Sequence, residues 1–132
     1  MTLQYLVDTD WVIHYLSGRD DIVNRVRALR PDGLGISVVA LAELYEGVDY
    51  SRDPEKDEQG LSAFLRGVSV LGIDEETAQI FGRERGRLRA SGALIGDMDL
   101  LIAAMALQYN LTLLSNNRRH FERVEGLRIE SA

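Results

Sequence analysis

Short apolar runs alternate with helix-patterned stretches along most of this chain, and no other feature restricts the fold as much. Leu3 to Val7, Leu34 to Ile36, Val68 to Leu71 and Leu111 to Leu114 have the length and composition of strands. Leu127-Arg128-Ile129 offers a further edge strand. Between them the spacing predicts helices. One runs through Trp11, Val12, Ile13, Tyr15 and Leu16, capped by Thr9 or Asp10 and stopped at Gly18. A second covers Asp21 to Leu29 and ends at Pro31-Asp32-Gly33. Ser37 opens a third, with Val38, Leu41, Ala42, Tyr45 and Val48 on one side. The polar stretch Ser51 to Gln59 reads as a loop or hairpin tip before a helix through Leu61, Phe64 and Leu65. Asp74 caps a long helix from Glu75 to about Ala90, which Ser91-Gly92 breaks. Asp97 to Tyr109 forms another, apolar on one side through Leu100, Leu101, Ala103, Ala104 and Leu107. Strands joined by helices need right-handed crossovers, so the expectation is one α/β domain over residues 1–132, its parallel sheet covered on both faces.

The chain has no cysteine, which excludes a disulfide framework and any thiolate metal site. It shows no secretory leader pattern and no run approaching the roughly 18 apolar residues that span a bilayer. A soluble, cytoplasmic protein is expected. The net charge of −6 argues against a broad nucleic-acid-binding surface. Yet the arginines cluster, at Arg83, Arg85, Arg87 and Arg89 and again at Arg118, Arg119 and Arg123, while Lys56 is the sole lysine. Guanidinium groups suit phosphate because they donate two parallel hydrogen bonds. A solvated helix face accounts for the first cluster equally well.

The acidic residues carry the chemistry. Ligand crevices of parallel sheets lie beyond the carboxyl ends of the strands, and Asp8 directly follows the first strand. Glu43 sits inside the apolar stretch Val38 to Leu44, where a charge near the core needs a partner. Asp97 and Asp99 stand where the Gly96 turn becomes an apolar helix, and Ser115-Asn116-Asn117 ends another strand with small polar groups. Each has a plainer reading: helix capping for the aspartates, an exposed helix face for Glu43, a simple turn for the asparagines. Together they form an oxygen-only set without thiolate ligands, which selects hard cations, Mg²⁺ or Mn²⁺. Such ions hold phosphate oxygens and activate water for in-line displacement.

With these residues in view, the chain resembles PIN-domain ribonucleases of the VapC toxin type over almost its full length. Leu6-Val7-Asp8-Thr9-Asp10 with Ile13 is similar to that family's opening strand and first acidic position. Ser37 to Leu44 with Gly47 is similar to its second acidic motif, and Ile95 to Ala104 to its third, with Asp99 at the best-matched carboxylate and Asp97 as a helper. Leu114 to Phe121 and Gly126 to Ile129 resemble its C-terminal segment. The resemblance implies a three-layer α/β/α domain with a mostly parallel sheet of four to five strands. It implies a prokaryotic, Mg²⁺- or Mn²⁺-dependent endoribonuclease toxin that cuts structured RNA such as tRNA or rRNA, a homodimer, and a VapB-like antitoxin. Asp8, Glu43 and Asp99 would bind metal with help from Asp97, while Thr9, Asp10 and Asn117 surround them. Arg85, Arg89, Arg118 and Arg119 are the candidate RNA contacts. Asn117 stands where many relatives carry a fourth acid, which leaves one or two metal ions open.

Asp8-Thr9-Asp10-Trp11-Val12 also fits the loose opening pattern of haloacid dehalogenase-like phosphatases, with Asp8 as nucleophile. Those enzymes need a downstream lysine, and Lys56 lies in a charged segment. A third reading is a non-catalytic partner-binding domain that keeps the pocket for stability.

Overall fold

The computed structural model describes residues 2–132. The apolar runs become β1 (Tyr5–Val7), β2 (Leu34–Ser37), β3 (Ser69–Leu71), β4 (Thr112–Leu114) and β5 (Ile129–Glu130). They form one five-stranded sheet in the order β3-β2-β1-β4-β5. All neighbouring strands run parallel. Helices α1 (Thr9–Leu16), α2 (Asp20–Leu29), α3 (Val38–Asp49), α4 (Pro54–Leu65), α5 (Glu75–Ala90), α6 (Asp97–Gln108) and α7 (Arg118–Phe121) complete a three-layer α/β/α architecture. The chain steps outward from β1 through β2 to β3, then returns across the sheet to β4. That reversal opens a crevice between the carboxyl ends of β1 and β4. Val7 pairs with Leu114, and the Asp8 N–H donates to the Leu114 carbonyl at 2.9 Å, so Asp8 and Ser115 meet there.

Three elements differ from the sequence expectation. α4 begins at Pro54, well inside the stretch read as a loop. Asp53 caps it by accepting from the Lys56 N–H, and proline fits a first turn whose N–H groups lack partners. α3 buries Val39, Ala40 and Leu44, a face rotated from the expected one, and leaves Val38 and Tyr45 in solvent. α6 is buried nearly all round, at Leu100, Ile102, Ala103, Ala104, Met105 and Ala106, rather than on one side. It packs against α3, α5 and α7, and helices enclosed on several sides show no single apolar stripe.

Gly33 joins the 3-10 turn Arg30–Asp32 to β2 at φ 98°, and a Cβ there would lie 2.4 Å from the Thr2 carbonyl oxygen. Gly33→Ala is therefore expected to lower stability by about 1–3 kcal/mol, read as a lower urea midpoint at unchanged slope.

Candidate active site

Asp8 leaves β1 in extended conformation and occupies the position before α1, yet its carboxylate makes no capping bond. Capping therefore does not account for it, nor do Thr9 or Asp10 hold the cap position as the sequence suggested. Instead Oδ2 accepts from the Ser115 hydroxyl at 2.8 Å. The residue is only 5% exposed. Burial pushes its pKa up to about 7; the bonds from Ser115 and the Thr9 backbone pull it down, and the charges of Asp10 and Asp99 raise it further.

The other acids surround it at different depths. Asp10 Oδ2 accepts from the Asn116 N–H at 3.0 Å, while its Oδ1 is buried without a partner. Glu43 is half-buried and accepts from the Thr9 hydroxyl at 3.0 Å, so it is not a freely solvated helix position. Asp99 Oδ2 lies 3.4 Å from His120 Nδ1, which is itself 3.2 Å from Asn117 Nδ2. Asp97 behaves otherwise. Gly96 holds the position before α6, so Asp97 does not cap it, and its exposed carboxylate accepts from Arg85 Nε at 3.1 Å.

Asp10 and Asp99 thus both lie within electrostatic reach of Asp8, and Glu43 is joined to the residue after it through Thr9. Asp97 is engaged by Arg85 instead. Among the described residues no three acidic or imidazole side chains converge tightly enough to grip an ion as they stand. Thr9, His120 and Arg85 each face one flanking acid. The donor set nonetheless suits a hard divalent cation, being built mainly of carboxylate, hydroxyl and amide oxygens. The orphaned Asp10 oxygen and the costly buried charge of Asp8 are the two features a cation would relieve.

The arginines divide by use. Arg87 bonds the buried Glu84 and the Arg123 carbonyl, and Arg118 bonds Glu122, the Ile129 carbonyl and Ser131. Both brace the scaffold. The side chains of Arg89 and Arg119 make no hydrogen bond or ion pair among the described residues. Trp11 is fully buried and cannot stack on a base. Sequence reasoning missed Ser115 as the partner of Asp8 and His120 as the neighbour of Asp99; only their place after a strand end hinted at either.

A groove of about 460 Å³ opens beside this site between α1, α3 and α4. Ile13, Leu16, Leu44, Val48 and Leu61 give it apolar walls, and Glu43 belongs to both groove and acidic site.

The PIN domain family model matches residues 5–127, and the chain belongs to that family. Within it the resemblance is to VapC ribonucleases. Ribonuclease VapC2 of Haemophilus influenzae is 36% identical, with 98% of each chain covered. The tRNA(fMet)-specific endonuclease VapC of Shigella flexneri is 33% identical, with 97% of each covered. Among solved structures, VapBC2 from Rickettsia felis bound to a DNA fragment from its promoter superposes with a TM-score of 0.92 at 30% identity, covering 98% of this chain and 99% of that one. This membership sets aside the phosphatase reading of Asp8. No helix among the described residues is long and apolar enough to cross a membrane.

Proposed function

We propose that this protein is a Mg²⁺- or Mn²⁺-dependent endoribonuclease, the toxin of a toxin–antitoxin pair, acting on structured RNA such as tRNA. The observation that carries the reading is the buried Asp8 at the strand-order reversal, with Asp10 and Asp99 beside it. Asp8, Glu43 and Asp99 would hold the ion, with Asp97 able to join them on leaving Arg85. When bound, the ion supplies positive charge that polarises the phosphodiester and activates water. Ser115 fixes one oxygen of Asp8, and Thr9 fixes one of Glu43. Arg89 and Arg119, whose side chains have no internal partner, are the proposed contacts to RNA phosphates, with Arg85 after release from Asp97. The test is cleavage of tRNA by the purified chain, which chelation and Asp8→Asn should each abolish. Intact activity under both would exclude this acidic site as the catalytic one, whereas no cleavage by the metal-loaded chain would leave only a partner-binding domain.

The antitoxin fits the apolar groove. An amphipathic helix laid there would reach Glu43 and so cover the acidic site. Leu16, 40% exposed on the groove wall, gives a clean probe. Leu16→Glu is expected to weaken antitoxin binding at least about tenfold by calorimetry, while changing stability by less than about 0.5 kcal/mol. Val38 and Tyr45, exposed on α3, support the homodimer, which size-exclusion chromatography reads directly.

A further inference from the structure

Three parts of the chain converge on Asn116. Its backbone N–H donates to Asp10 Oδ2 at 3.0 Å. Its side-chain Oδ1 accepts from the Trp11 indole N–H at 3.0 Å and from the Ala132 N–H at 2.9 Å. The flanking residues are tied to the same strand end. The Ser115 N–H donates to the Glu130 carbonyl at 3.0 Å, and the Ser115 carbonyl accepts from the Ser131 hydroxyl at 2.6 Å. The segment between β4 and α7, which presents Ser115 to Asp8 and Asn117 to His120, is therefore clamped between the start of α1 and the end of β5.

We propose that Asn116 is a positioning residue for the acidic site, setting how far the Asp8–Asp10 pair stands from Ser115 and Asn117. The inference rests on the metal-dependent reading above. The chemistry of the position calls for an oxygen acceptor. Two N–H donors meet on one oxygen, and the fully buried indole loses its acceptor if that oxygen goes. A carboxylate oxygen would satisfy both donors in the same way. Trp11 follows Asp10 directly in α1, so a displaced indole moves the first turn, which carries Asp10 and starts at Asp8. By engaging Oδ2, the Asn116 N–H also decides which Asp10 oxygen stays free.

Asn116→Ala, Asn116→Asp and Trp11→Phe, each in the full chain, test this. The measurements are tryptophan emission for the two Asn116 variants, Mn²⁺ affinity by calorimetry, and kcat and KM for RNA cleavage at saturating Mn²⁺. Trp11 is the chain's one tryptophan, so its emission reports the surroundings of this indole. Asn116→Ala is expected to shift that emission, weaken Mn²⁺ binding about 10–100-fold and lower kcat with little change in KM, the usual cost of losing a group that orients metal ligands. Asn116→Asp keeps the acceptor and should return emission and Mn²⁺ affinity to within about threefold of the parent chain. Trp11→Phe removes the donor, keeps a ring in the core, and should weaken Mn²⁺ in the same direction as alanine. Asn116→Ala with unchanged Mn²⁺ affinity and kcat, Asn116→Asp as impaired as alanine, or Trp11→Phe with full affinity would each overturn the inference while the nuclease reading stands. A parent chain that neither binds Mn²⁺ nor cuts RNA would overturn both.

Discussion

Replacing Asp8 with asparagine is expected to destroy RNA cleavage and, in the metal-free protein at pH 8, to raise stability. The two effects share one cause. Asp8 is buried among other acids, and its ionised form is so disfavoured that its pKa rises from 3.8 to about 7. At pH 8 the folded chain must carry that charge out of water, whereas an amide of the same shape carries none and can still accept the Ser115 bond. The gain is on the order of a few kcal/mol, seen as a higher urea midpoint. The loss of activity should exceed the roughly hundredfold typical of groups that only orient metal ligands. A general packing defect would lower stability and activity together. Opposite signs mark a residue kept for chemistry at the expense of the fold.

The same burial makes stability depend on pH and on metal. Between the unfolded value of 3.8 and the folded value of about 7, the folded state keeps a proton that the unfolded state releases. The unfolded state then binds fewer protons, so this group's contribution falls as pH rises through that window and levels off above it. Metal-free protein should therefore lose stability between pH 5 and pH 8, and Asp8→Asn should flatten that decline. Mn²⁺ at a hundredfold excess over its dissociation constant adds about 2.7 kcal/mol, or roughly 5 °C in melting temperature for a chain of this size. Because binding needs the ionised carboxylate, the increment should be larger at pH 8 than at pH 5. A metal-induced shift equal at both values would separate the ion from Asp8.

Much of this was legible in the sequence, for reasons that differ by residue. The strand runs and the Asp74 cap are local signals, and α5 begins where they predict, its capping box closed by Thr77. Asp8 was legible because strand end and charge coincide. The burial of α6 was not, since it depends on which helices flank it rather than on its own periodicity. α4 was read late although Asp53-Pro54 marks a helix start, because the charged residues after it masked the cap. Asp97 and Asp99 are two residues apart and look equivalent in sequence. Only the fold shows that one faces His120 and the other Arg85. The arginines were likewise indistinguishable until Arg87 and Arg118 proved to be structural ties. Pairings distant in sequence, such as Ser115 with Asp8, arise from sheet order, and composition carries no trace of them.

The most direct test of the account is a titration of Mn²⁺ into purified, antitoxin-free chain with tRNA as substrate, mapping the new 5′ ends. The account predicts no cleavage in chelator, saturable cleavage at discrete sites as Mn²⁺ is added, and none at any concentration with Asp8→Asn. Cutting at the same sites in chelator, or undiminished cutting by Asp8→Asn, would contradict it.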